Sequence, residues 1–192
     1  MKNLYIDFET GGYDPTTCPI LEIGARVEID GKNVEDFNIH LLPFENDPEP
    51  MEEALEILKL TKEDVYDKEK RTHPQTAFIQ FEEFLSKYVD RYDSNDKFYF
   101  IGYNSRVFDE PIMRLFFEKN NNNYYGSWFW TPSLDVLSLA SWAIRTYRPR
   151  LKNFRLATVA QYFNIEINEE NLHGAMYDIN LTQQIVNKLV LK

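Results

Sequence analysis

The first apolar stretch of the chain, Leu4-Tyr5-Ile6-Asp7-Phe8-Glu9, carries two carboxylates on alternate residues. A strand turns successive side chains to opposite faces, so Asp7 and Glu9 share one face while Leu4, Ile6 and Phe8 fill the other. Either this strand lies at an exposed edge with its acids in water, or the anions sit half-buried, where something must neutralise them. A hard divalent cation with oxygen ligands does so directly. The pair alone leaves both readings open.

The rest of the chain reads as one α/β domain spanning 1–192, a length that allows a substantial core of Phe, Tyr, Leu and Ile. Residues 4–8, 20–29 and 34–42 read as strands, the last two separated by the turn signal Asp30-Gly31, an antiparallel start. Pro43, Pro48 and Pro50 break the pattern, and 51–60 is a short acidic helical segment. Pro74 opens a helix with Phe78, Phe81, Leu85 and Tyr88 on one face, expected to pack on the sheet. Residues 98–101 read as a buried strand, 102–105 as a loop and 111–117 as a helix, which resumes an α/β pattern. The run 120–123, all Asn, reads as a mobile low-complexity loop. Helical segments are expected at 133–144, 154–163 and 175–190.

Two further acids are placed to matter. Asp109 lies where loop becomes helix, just before Glu110-Pro111, so it is either a helix cap or a site residue beyond the end of the 98–101 strand. Asp178 stands three, seven and eleven residues before Leu181, Ile185 and Leu189, at the end of the apolar stripe of the last helix. It faces inward and has no local cation within a helical turn, so a metal shared with Asp7 would satisfy it. His173 precedes Asp178 by five residues, which in continuous helix would part them by about 140°. The two share a site only if His173 lies before the helix or in its first turn, with Gly174 permitting the bend. A His in such a place is either an ordinary surface residue or a general base near neutral pH.

A formal net charge of -10 argues against broad electrostatic attachment to nucleic acid. Yet 136–165 contains no acidic residue and holds Arg145, Arg148, Arg150, Lys152 and Arg155 among Trp142, Tyr147 and Phe154. That local patch is either a solvated face or a surface for phosphates. The single Cys18 cannot form an intrachain disulfide, and no apolar run suggests a signal peptide or reaches the roughly 18 residues that span a bilayer. A cytoplasmic location with no membrane partner is expected.

Three segments, Asp7-Phe8-Glu9-Thr10-Gly11, Gly102-Tyr103-Asn104-Ser105-Arg106-Val107-Phe108-Asp109 and His173-Gly174-Ala175-Met176-Tyr177-Asp178, resemble the three motifs of the DEDDh family of 3'-5' exonucleases, in order and across nearly the whole chain. Leu21-Glu22-Ile23-Gly24-Ala25 and Phe154-Arg155-Leu156-Ala157-Thr158-Val159-Ala160 are also similar to that family. The sister class would need Tyr where Gly174 stands. Within the family, the middle motif, Trp128-Phe129-Trp130 before Leu134-Asp135, and Phe154-Arg155-Leu156 look most like the exonuclease domain of exodeoxyribonuclease I. That enzyme carries additional C-terminal domains, whereas this chain ends soon after Asp178, so the expectation is against high processivity.

The resemblance implies a ribonuclease H-like fold, a mixed five-stranded sheet flanked by helices. It implies that Asp7, Glu9, Asp109 and Asp178 hold two Mg²⁺ or Mn²⁺ ions, about 3.5 to 4 Å apart in such sites, and that His173 takes the proton from the attacking water. Thr10, Gly11, Asn104 and Phe108 are expected at the terminal nucleotide, although Phe108 also suits simple core packing. Arg148, Arg150 and Lys152 are expected on backbone phosphates, with Trp142 or Tyr147 stacking on bases. The implied activity is hydrolysis of single-stranded DNA from its 3' end to nucleoside 5'-monophosphates, in DNA repair or replication. The alternatives are an exoribonuclease or oligoribonucleotidase with the same catalytic residues, a proofreading subunit with a polymerase or repair partner, and a non-catalytic nucleic-acid-binding module. The complete set of five polar residues speaks against the last.

Overall fold

The computed structural model describes residues 1–190. Its sheet has five strands, β1 (Lys2–Thr10), β2 (Ile20–Ile29), β3 (Lys32–His40), β4 (Phe98–Gly102) and β5 (Phe129–Asp135), in the order β3-β2-β1-β4-β5. β1 pairs antiparallel with β2 and parallel with β4; β2–β3 is antiparallel and β4–β5 parallel. The helices are α1 (Glu52–Leu58), α2 (Lys62–Val65), α3 (Pro74–Ser86), α4 (Asp109–Lys119), α5 (Tyr125–Trp128), α6 (Val136–Ala143), α7 (Leu156–Tyr162) and α8 (Ala175–Val190). The expected mixed five-stranded sheet flanked by helices is therefore present.

Alternation along β1 divides the molecule. Leu4, Ile6 and Phe8 join Ile23, Ala25 and Val27 of β2 in a core with Phe78, Phe81 and Phe84 of α3 and Phe116 and Phe117 of α4. Tyr5 points the other way, into a second core with Val136 and Ala140 of α6, Val159 and Ala160 of α7, and Ile179, Leu181 and Ile185 of α8. A sheet covered on both faces leaves little water around the acids of β1.

The second face carries the chemistry, and α8 is pinned to it at two points. Near its start, a Cβ built on Gly24 of β2 would stand 2.7 Å from the Ala175 Cβ, so only glycine lets the helix lie this close to the sheet. Two turns later the buried Gln183 donates to Glu28 (2.7 Å) and Asn33 (2.6 Å) and accepts from Arg26 (3.1 Å). Such a satisfied buried network specifies one register. Gly24→Ala should therefore push the first turn of α8 off the sheet. We expect a loss of about 1–3 kcal/mol in stability, the usual range for overpacking, measured by denaturant unfolding. An unchanged midpoint would mean that α8 is not held here.

Three local expectations differ from the structure. The stretch 129–135 is strand rather than partly helix: β5 is an edge strand that accommodates a cis Thr131–Pro132 bond, and α6 starts only at Val136, where Asp135 caps the Leu137 N–H at 3.0 Å. The helical segment expected at 51–60 is present as α1, and it is followed by the short α2, started by a Thr61/Asp64 capping box. β3 stops at His40, and Leu41 bridges to Thr72 instead. The Asn run closes α4 rather than forming a loose loop. Asn120 Nδ2 donates to the Phe116 carbonyl (2.7 Å), Asn121 takes a left-handed backbone (φ 55°), and Asn122 Nδ2 donates to Glu82 (3.1 Å). Asp30 and Gly31 both have positive φ (50° and 78°), the two-residue hairpin turn that their sequence suggests.

Candidate active site

The two acids of β1 project from the face that receives the first turn of α8. Oxygens of Asp7, Glu9 and Asp178 all lie within 4.8 Å of one another. A register shift between Glu9 and Thr10 ends regular pairing with β2 just beyond the site, a place where irregular backbone re-aims side chains. Asp109 is the first residue of α4 and only 3% exposed. It reaches across to β1, where its Oδ1 accepts the Phe8 N–H at 3.3 Å, between the two acids of the strand. The motif acids from β1, α4 and α8 are thus brought to one place.

No Lys or Arg ion-pairs with Asp7, Glu9, Asp109 or Asp178 among the described residues. Burial therefore dominates. It lifts the Asp7 carboxyl well above its ordinary range, with Glu9, Asp109, Asp178 and Glu22 adding repulsion. Burial, then Asp178, Glu22 and Asp109, push Glu9 up to about 8. Asp109 rises to about 7 through burial, partly offset by backbone hydrogen bonds, and Asp178 to about 6, with the His173 backbone amide holding it back. Acids raised by burial and by one another are anions waiting for a counter-charge. The buried Oδ1 of Asp178 has no hydrogen-bond partner and is free to accept a ligand bond. Hard oxygen donors without nitrogen or sulfur suit Mg²⁺ or Mn²⁺, so the residues fit the divalent metal expected of them.

The same shifts set a pH dependence. Between about pH 4 and 8 the folded, metal-free protein holds protons on Glu9, Asp109 and Asp178 that the unfolded chain has released. Unfolding then sheds protons, so stability must fall as pH rises through that window. We expect the Tm in chelator to drop between pH 5.5 and 8.5 and excess Mg²⁺ to remove most of the drop. A metal-free Tm that rises over this range would contradict the electrostatics.

His173 lies just outside α8, as its sharing a site with Asp178 requires, but the bend falls on His173 itself, with φ 66°, rather than on Gly174. His tolerates this left-handed region better than most side chains, yet such backbone is costly and concentrates at functional sites. The residue lines a cavity of about 250 Å³ together with Glu9, Glu22, His40 and Arg71. Burial, then Lys59 and Arg155, lower its proton affinity, so the imidazole is neutral at pH 7 and able to accept a proton.

The other expected positions fall at several distances from this centre. Thr10 is buried and its hydroxyl donates to the Gly12 carbonyl (2.7 Å). A Cβ at Gly11 would meet Pro50 at 2.8 Å and Pro19 at 2.9 Å, so packing of the protein on itself already requires glycine there. Asn104 lies in the loop just after β4 in a left-handed conformation (φ 63°), its N–H donated to Asp135 at 2.9 Å, and Phe108 packs against the first core. Arg148 and Arg150 belong to an exposed 3-10 helix, Arg145–Arg150, followed by the exposed Lys152. Their guanidinium groups stack on rings, Arg148 at 4.1 Å from Phe154 and Arg150 at 5.7 Å from Tyr147, while Arg145 covers Trp142 at 4.4 Å. One residue at the centre was not singled out from sequence: Glu22, which stands opposite Glu9 in the β1–β2 register. Its alternation with Gly24, the glycine under α8, is the signal that places it on the site face.

A family model described as Exonuclease matches residues 4–186. Among solved structures, E. coli exonuclease I in complex with a dT13 oligonucleotide aligns with a TM-score of 0.76 at 22% identity, covering 100% of this chain and 41% of that one. The zinc-bound form of an E. coli exonuclease I–single-stranded DNA complex aligns at 0.75 and 21%, covering 100% and 40%. A product-bound structure of exonuclease I aligns at 0.74 and 20%, covering 98% and 43%. The chain thus spans about two fifths of the length of these structures. No curated protein matches.

Proposed function

Because this chain belongs to the exonuclease family, we propose that it is a divalent-metal-dependent 3'-to-5' exonuclease that removes nucleoside 5'-monophosphates from single-stranded DNA. The observation that carries this reading is the convergence of Asp7, Glu9 and Asp178 oxygens within 4.8 Å, with buried Asp109 alongside and His173 on the same cavity as Glu9. Bound Mg²⁺ or Mn²⁺ would supply Lewis-acid stabilisation of charge on the phosphate and of the attacking and leaving oxygens. Asp7, Glu9, Asp109 and Asp178 would hold the ions. His173, neutral at pH 7 and placed before α8, would take the proton of the attacking water.

Single-stranded substrate is supported by the surface around Arg145–Arg150, where exposed Trp142 (70%) and Tyr147 (44%) alternate with guanidinium groups that no carboxylate pairs among the described residues. Stacking platforms interleaved with cations suit an unpaired strand, since every base has a face to stack. Arg148, Arg150 and Lys152 would meet its phosphates, and Thr10, Gly11, Asn104 and Phe108 would border the terminal nucleotide. The neighbouring structures that hold single-stranded DNA favour DNA over RNA as substrate.

The test uses matched 5'-labelled DNA and RNA oligonucleotides with free or blocked 3' ends, in Mg²⁺ or Mn²⁺ and in chelator. A ladder shortening from the free 3' end of DNA, absent in chelator, is expected. Preferential shortening of RNA would move the assignment to an exoribonuclease. Binding without degradation would replace it with a non-catalytic module.

A further inference from the structure

Glu22 is a carboxylate with no assigned work. It lies in a row across the second face of the sheet, opposite Glu9 on β1 and opposite His40 on β3. Its side chain is 14% exposed, no Lys or Arg among the described residues ion-pairs with it, and His40 Nδ1 is at 3.9 Å, beyond hydrogen-bond range. The buried Arg71 also faces it electrostatically but is committed elsewhere. Arg71 Nε donates to the Asp64 carbonyl at 2.7 Å, and Nη1 donates to the Leu21 and Leu41 carbonyls at 2.8 and 3.1 Å. A largely buried anion beside other anions therefore opens onto the cavity shared with Glu9 and His173, and what can satisfy it there is water or a cation.

We propose that Glu22 is a positioning residue of the metal centre, holding the water shell of an ion bound by Glu9 while leaving the ligand set itself to the four motif acids. This rests on the metal reading given above. Three features carry it. Glu22 faces Glu9 in direct register rather than Asp7, which has Gly24 opposite. Its charge adds to the repulsion at Asp7, Glu9 and Asp178, so it shares their electrostatic environment. Arg71 offsets part of its charge without an ion pair, and His40 stands opposite it on β3, away from Glu9, which lets the fold carry a fifth acid. Mg²⁺ keeps several waters in protein sites, and carboxylates that hydrogen-bond such waters set affinity without touching the ion.

The experiment measures Mn²⁺ binding to the full chain by calorimetry, with Asp7→Asn as control, and then to Glu22→Gln and Glu22→Asp. Glu22→Gln is expected to weaken Mn²⁺ about tenfold, the low end for loss of an outer carboxylate, while turnover at saturating Mn²⁺ stays within about threefold of wild type. Glu22→Asp, keeping the charge, should recover most of the affinity, which a purely structural role would not predict. In chelator at pH 8 the Gln variant should melt no lower than wild type, since it removes repulsion. An unchanged Mn²⁺ dissociation constant in Glu22→Gln overturns the proposal and leaves the metal centre standing. Absence of Mn²⁺ binding to wild type, or binding undiminished by Asp7→Asn, removes the metal reading and this proposal with it.

Discussion

Replacing Asp7 by Asn is expected to reduce metal-dependent hydrolysis about a thousandfold or more while the protein stays folded. Asp7 is the most crowded of the acids, with burial and four other carboxylates all disfavouring its charge. In the metal-free state its removal relieves repulsion, so the variant should melt at or above the wild-type temperature in chelator at pH 8. With metal the balance reverses. The charge that repelled its neighbours is then missing from the ligand set, and bound ions supply several kcal/mol of transition-state stabilisation at about 1.36 kcal/mol per factor of ten. Single-turnover rates and melting curves on the same preparation check both halves. Wild-type turnover in Asp7→Asn would remove Asp7 from the site.

The second large effect is expected at His173. Loss of a general base costs about 10²- to 10⁴-fold, and here it should fall on turnover with little change in the metal concentration needed for half-maximal rate. The choice of variant matters because His173 has a left-handed backbone. Ala at φ 66° would strain the turn into α8 and could displace Asp178, so a loss in His173→Ala mixes two causes. Asn tolerates this conformation and cannot act as a base near neutral pH, which makes His173→Asn the cleaner test. Equal losses in metal binding and turnover in the Asn variant would recast His173 as structural.

These predictions rest on residues that the sequence alone singles out, and the reason is physical. Asp7 and Glu9 were readable because a period of two fixes which side chains share a face. Asp178 was readable because the apolar stripe of α8 ends on it, and Leu181 and Ile185 are indeed buried below it. Asp109 was ambiguous because its local setting also suits a helix cap; only the long-range bond to the Phe8 N–H separates the two roles. Glu22 does not stand out in sequence because its alternation with Gly24 fixes only its face, while nothing within β2 reveals that Glu9 lies opposite it, register being a property of two strands together. β5 is hidden in the sequence because Pro132 and Ser133 suggest a break and a helix start, whereas an edge strand tolerates a proline that a central one would not. The Asn run looked featureless in sequence because its order comes from carbonyls at the end of α4 and from Glu82, forty residues away from Asn122.

The central claim is that acids drawn from β1, α4 and α8 form one divalent-metal centre. It is tested most directly by anomalous diffraction from crystals equilibrated with Mn²⁺. The account predicts two anomalous peaks among the carboxylates of Asp7, Glu9, Asp109 and Asp178, one of them within coordination distance of the Asp178 Oδ1 that has no hydrogen-bond partner. Saturating Mn²⁺ with no peak among these four carboxylates would contradict it.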